Sequence, residues 1–213
     1  MGQLMTEGKP GRYLLSESDV NTPALLVDMN VMESNLEKMA AFFRGRLARL
    51  RPRYKNHKGA ASARRQRARG TIGMSCATLA EAEALAGHGI DNVLIVNEIA
   101  GTAQLERMAR LSRESDVIVA VGNQMTVLAL SSVSTRFNVK LSVVVDVNTG
   151  MGRCGATSGE PALALSRSAT EHGLPFCGLT GYEGHCGRLQ PCAEKVDATT
   201  RAKEKLVGTA KLV

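Results

Sequence analysis

A chain of 213 residues with 44% hydrophobic and 22% charged side chains has ordinary globular composition and enough length for one sizeable buried core. Without Trp and with only 3% aromatics, it lacks the stacking platforms used to bind single-stranded nucleic acid, and no run approaches the roughly 18 apolar residues of a membrane span. The net charge of +7 is local: residues 44–69 hold 11 of the 27 Lys and Arg and no acid, while the rest of the chain has 16 basic residues against 20 acidic ones.

Residues 1–21 are polar, carry the turn signal Pro10-Gly11 and read as a flexible arm without the layout of a secretory leader, so the expected location is the cytoplasm. Ordered structure is expected from residue 22. Residues 24–28 form a short apolar run suited to a strand, and Asn30 is placed to cap a helix through Val31, Asn35, Leu36, Met39 and Phe43. An alternation then begins. Strands are expected at 47–55, 71–76, 92–96, 117–121, 141–147 and 176–182. Helices are expected at 60–69, 79–86, 103–112, 125–133, 161–172 and from 192 to the end. Gly87 and Gly89 close the second of these helices.

Short apolar strands separated by amphipathic helices predict a parallel α/β architecture. About six β/α units are counted from Leu47, compatible with an open doubly wound sheet or an incomplete eight-stranded barrel. Five cysteines with no C-x-x-C spacing suggest neither a disulfide framework nor a zinc site.

The chemistry-bearing stretch is Arg51-Pro52-Arg53-Tyr54-Lys55-Asn56-His57-Lys58. A lysine amine attacks a carbonyl only when neutral, which desolvation or neighbouring cations favour, and Arg51, Arg53 and Lys58 surround Lys55 in sequence. If the stretch is extended, Arg49, Arg51, Arg53 and Lys55 share one face and need buried acids, such as Asp146, Glu98 or Glu183, or an anionic ligand. Gly150-Met151-Gly152-Arg153-Cys154-Gly155 follows a strand and has the spacing of a dinucleotide fingerprint. Residues 157–161 intervene before its helix, however, and the next acid at a strand end is Glu183, too far along the chain. His57 and His185 are candidates for proton transfer. His88 and His172 sit at helix ends, and the run 64–67 reads as a solvated basic face.

Six segments, taken together, resemble one family. They are Thr22 to Asp28, Leu50 to Lys58, Cys76 to Glu83, Gly89 to Glu98, Val145 to Gly155, and Gly181-Tyr182-Glu183-Gly184-His185. They occur in the order found in D-threonine aldolase and D-serine dehydratase-like proteins, within the alanine racemase-like, fold-type III enzymes that use pyridoxal 5′-phosphate. The resemblance implies a TIM-type (β/α) barrel of the alanine racemase N-terminal-domain kind over residues 22–213. It implies lyase chemistry on small β-hydroxy-D-amino acids, by retro-aldol cleavage or elimination, and the possibility of a homodimer. Matched position by position, Lys55 would carry the cofactor, Arg153 would lie near its phenolic oxygen, and Tyr182 near its pyridine ring.

Two departures accompany the resemblance. Arg53 stands where the family typically has histidine. The last barrel strands, a glycine-rich phosphate loop and a β-rich C-terminal domain carrying the ligands of a divalent metal (Mn or Zn) have no counterpart after Tyr182. The expectation is therefore a barrel that is incomplete and a lyase that truncation could inactivate, with a stand-alone pyridoxal-phosphate carrier barrel as the alternative.

Overall fold

The computed structural model describes residues 19–213; most of the expected N-terminal arm lies outside them. The first helix, α1 (Met29–Phe43), is capped by Asp28, whose Oδ1 accepts from Asn30 N at 2.9 Å and Val31 N at 3.0 Å. Asn30 is already helical, so the cap lies two residues before the expected one. Residues 24–28 are not a strand. Leu25 is fully exposed and Leu26 and Val27 largely so, because an extended apolar run becomes a strand only where another strand pairs with it.

The expected strand at 47–55 is also absent as a strand. It reduces to a single parallel bridge between Arg53 and Ser75, followed by a 3-10 turn, Tyr54–Asn56. From there the alternation is regular: α2 (Ala60–Arg67), β1 (Met74–Cys76), α3 (Leu79–Gly87), β2 (Val93–Ile95), α4 (Thr102–Leu111), β3 (Val117–Val121), α5 (Gln124–Phe137) and β4 (Ser142–Asn148). A two-residue strand that sequence did not suggest, β5 (Ala156–Thr157), precedes α6 (Glu160–Glu171), β6 (Phe176–Gly181), a 3-10 segment (Gly184–Arg188) and α7 (Ala193–Ala210).

All pairings are parallel. The sheet runs β1-β2-β3-β4, with β4 paired both to β5 near its carboxyl end and to β6 along its length. Strands β1 to β4 are buried on both faces, as a parallel sheet covered by helices requires. The core joins Met74, Ile95, Val119, Val121, Val143 and Val145 to helix residues such as Leu85, Met108 and Leu130. α1 contributes no buried residue. No described helix is long and apolar enough to cross a membrane.

Capping fixes the helix starts. Thr78 Oγ1 accepts from Glu81 N at 3.2 Å while Glu81 Oε2 accepts from Ala77 N at 2.8 Å, a reciprocal arrangement close to a capping box. Asn123 Oδ1 accepts from Thr126 N at 2.9 Å. The basic helix α2 is not simply a solvated face. Arg65 and the following Arg69 both pair with Glu33 of α1, Arg67 donates to Thr71 O at 2.8 Å, and Arg64 reaches His88 O at 3.4 Å. Its charge is used to tie neighbouring segments together.

Candidate functional site

The three residues expected at the cofactor each follow the carboxyl end of a parallel strand or bridge, the end where βα loops assemble binding sites. Lys55 lies in the 3-10 turn just after the Arg53–Ser75 bridge, Arg153 in the loop after β4, and Tyr182 directly after β6.

Tyr182 is the point of convergence. Its ring is 50% exposed, with the Arg153 guanidinium carbon 5.5 Å and the Arg53 guanidinium carbon 5.9 Å from its centroid, within cation–π range. Gly184 lies under the ring, so close that an added Cβ would stand 2.3 Å from Tyr182 Cε1. Any larger residue there would displace the ring.

The row of cations divides by function. The Arg51 guanidinium leaves the mouth and donates to Asn92 O at 2.6 Å and Asn92 Oδ1 at 2.7 Å. The carbonyl and side-chain oxygens of Asn92, rather than Asp146, Glu98 or Glu183, receive it. Arg53 goes to Tyr182. Lys58 pairs with Glu81 at 3.5 Å. The exposed Lys55 ammonium has no hydrogen bond or ion pair to any described residue. The buried Tyr54 donates to Lys58 O at 2.7 Å and so anchors the turn on which Lys55 stands.

The loop from Asn148 to Gly155 is not a dinucleotide fingerprint: it returns into β5 instead of opening a helix. Asn148 Oδ1 accepts from Gly150 N and Gly152 N, both at 3.0 Å, and Thr149 Oγ1 donates to Tyr182 O at 3.1 Å. Cys154 has an acidic neighbour that its sequence context did not reveal, its Sγ donating to Asp146 Oδ2 at 3.3 Å. Burial pushes the Asp146 carboxyl above the usual carboxylate range, with Cys154 and Arg153 opposing. The Cys154 thiol is raised, first by burial, and the neighbouring thiol in turn holds the Arg153 guanidinium above its ordinary value.

Asn148 and Thr149 were missed from sequence. The available signal was an Asn at a strand end before two glycines, the setting of a side chain that closes its own turn. His57, a proton-transfer candidate, is structural: Nδ1 accepts from Gly59 N at 3.1 Å, and Nε2 lies 3.2 Å from Gln66 Oε1. His185 Nδ1 is buried without a hydrogen-bond partner among the described residues. All five cysteines are free thiols. Burial pushes Cys76, the most enclosed of those with a shifted thiol, up to about 12.

The family model described as alanine racemase, N-terminal domain, matches residues 27–212. The chain belongs to that family. Its open sheet is accordingly an incomplete TIM-type barrel of the alanine racemase N-terminal-domain kind. The crystal structure of a D-threonine aldolase from Filomicrobium marinum superposes with a TM-score of 0.87 at 34% identity, over 92% of this chain and 54% of that one. The 3-hydroxy-D-aspartate aldolase of Paracoccus denitrificans (strain Pd 1222) is 31% identical over 190 residues, 86% of this chain and 49% of that protein. A D-threonine aldolase from Arthrobacter sp is 31% identical over 195 residues, 91% of this chain and 52% of that protein. The chain thus spans about half the length of the curated relatives it matches.

Proposed function

We propose that this alanine racemase N-terminal domain is the pyridoxal-phosphate-binding part of a lyase for β-hydroxy-D-amino acids, with Lys55 as the attachment point. The observation that carries the reading is the set of groups after the carboxyl ends of the strands. The Lys55 amine, without a partner among the described residues, stands two residues from Arg53, and the guanidiniums of Arg53 and Arg153 lie 5.9 and 5.5 Å from the centroid of the half-exposed Tyr182 ring. These residues fit the aldehyde, phenolic and ring portions of pyridoxal phosphate. Names of the relatives support the substrate class, since they are D-threonine and 3-hydroxy-D-aspartate aldolases and a D-threo-3-hydroxyaspartate dehydratase.

When bound, pyridoxal phosphate supplies a carbonyl for the substrate amine and an electron sink for the bond broken at Cα. The chain's own contributions are distinct from that chemistry. Lys55 offers the amine, free of competing ion pairs among the described residues. Arg153 brings a permanent positive charge to the site and favours an anionic oxygen beside it. Tyr182 supplies an aromatic face beside the two guanidiniums and Gly184. Arg53 is a permanent cation and cannot exchange a proton at neutral pH. Its role is electrostatic. Among the described residues no group of three or more His, Cys, Asp or Glu is placed to hold a metal ion, and no step is assigned to one.

The test is chemical. Incubation with pyridoxal phosphate, borohydride reduction and peptide mass spectrometry should locate the cofactor on Lys55, and Lys55→Ala should abolish the label. Labelling of Lys58 or another lysine in its place would overturn the assignment. Glycine release from D-threonine with added manganese would show lyase activity in this chain itself, whereas labelling at Lys55 without glycine release favours a cofactor-binding portion that does not turn over on its own.

A further inference from the structure

Arg153 and Tyr182 follow different strands, and neither side chain is buried enough for packing to hold it. What sets one against the other is a pair of hydrogen-bonding residues between them. Asn148 is the last residue of β4, and its backbone is fixed by pairing with Thr157 of β5. From that fixed base its Oδ1 accepts the N–H groups of both Gly150 and Gly152. Those glycines adopt φ of 129° and 67°, conformations that L side chains rarely enter. One acceptor thereby folds the loop and aims Arg153 back across the end of the sheet.

Thr149 performs the complementary task. The β4–β6 ladder ends at Val147 and Gly181, so the next residues have no backbone pairing to hold them in register. The Thr149 hydroxyl extends the ladder by one bond, donating to Tyr182 O at 3.1 Å. Thr149 is only 5% exposed, and its methyl lies so close to Gly181 that an added Cβ there would stand 2.7 Å from it. Tyr182 is therefore held by the same loop that presents Arg153.

Resting on the function proposed above, we infer that Asn148 and Thr149 are the positioning residues of the site: Asn148 sets Arg153, Thr149 sets Tyr182, and neither needs to touch the ligand. A polar residue that merely stabilised the loop would influence unfolding alone. A positioning residue also alters the Arg153–Tyr182 contact in the folded protein.

The experiment uses the full chain labelled with fluorotyrosine. Its three tyrosines give three fluorine resonances, and Tyr182→Phe assigns the relevant one. Asn148→Ala and Thr149→Val should each move the Tyr182 resonance towards its position in Arg153→Ala. Each should also weaken equilibrium binding of pyridoxal phosphate by about tenfold, the effect of roughly one well-made hydrogen bond. Asn148→Asp and Thr149→Ser keep the acceptor and the donor, and both should restore the resonance and bring affinity within about threefold of the parent, less than the loss of one bond.

An unmoved Tyr182 resonance in folded Asn148→Ala and Thr149→Val would sink the inference, even with a lower melting temperature. So would Asp and Ser variants that behave like the deletions. Should Asn148→Ala not fold, the near-isosteric Thr149→Val and Thr149→Ser pair decides through the same resonance. If the parent chain binds no pyridoxal phosphate, the proposed function fails while the fluorine measurement still decides the positioning.

Discussion

Asp146 is 7% exposed on β4 and accepts one hydrogen bond, from the Cys154 thiol at 3.3 Å. Desolvation dominates its titration and raises its pKa above the usual carboxylate value; the Cys154 bond and Arg153 only partly offset it. A carboxyl whose folded pKa is raised holds its proton more tightly in the folded state than in the unfolded one. Stability therefore declines as pH rises from the unfolded value of about 3.9 through the raised folded value, and levels off above it. Asp146→Asn keeps an acceptor for Cys154 and removes the charge. Its thermal midpoint should match the parent near pH 4 and exceed it increasingly towards neutrality, and a constant difference across that range would contradict the assignment. Arg153 would lose one attractive partner in the same variant, which gives the Tyr182 resonance a second use as a reporter.

At the scale of elements, Arg51 links the irregular segment before the 3-10 turn to the β1–β2 edge. Its fork reaches Asn92 O and Oδ1, with a longer contact to Met74 O at 3.4 Å, and burial lowers its guanidinium pKa, with Asp116 opposing. Arg51→Leu leaves the oxygens of Asn92 without this donor, and denaturant unfolding should show a loss of about 2 kcal/mol. Arg51→Lys should recover only part of it, because one ammonium cannot reproduce a two-nitrogen fork. This clamp also explains what was legible in the chain. From β2 to β4 the apolar runs are self-sufficient, their strands buried on both faces, and their spacing alone located strands and helices. Residues 24–28 and 47–55 have similar local composition, yet whether they are strands depends on partners remote in sequence. In the site, resemblance singled out Lys55, Arg153 and Tyr182 and the turn pattern before two glycines was available for Asn148, whereas the bonds of Thr149 to Tyr182 and of Asp146 to Cys154 depend on a geometry that no local pattern encodes.

Across the whole molecule, burial is uneven. The body from α2 to α7 surrounds the sheet, but α1 buries none of its residues. Between it and the body runs a cleft of about 530 Å³, lined in part by Leu36, Met39, Phe43, Leu50, Arg49 and Arg69. Local opening there exposes little additional apolar surface, so amide hydrogens of α1 should exchange orders of magnitude faster than those of β3 and β4, as segments with few buried contacts do. Equal protection measured by mass spectrometry would show α1 to be part of the cooperative core. The connection that spans this cleft is Glu33, which pairs with both Arg65 and Arg69 and is the common anion of the two ion pairs. All three side chains are partly solvated, so dissolved salt screens both pairs together. Among the described residues this shared anion is the ion-pair mooring of the first helix to the body, and ionic strength is the hand on the rope: dilute buffer should draw the helix in, and brine should let it ride away from the barrel.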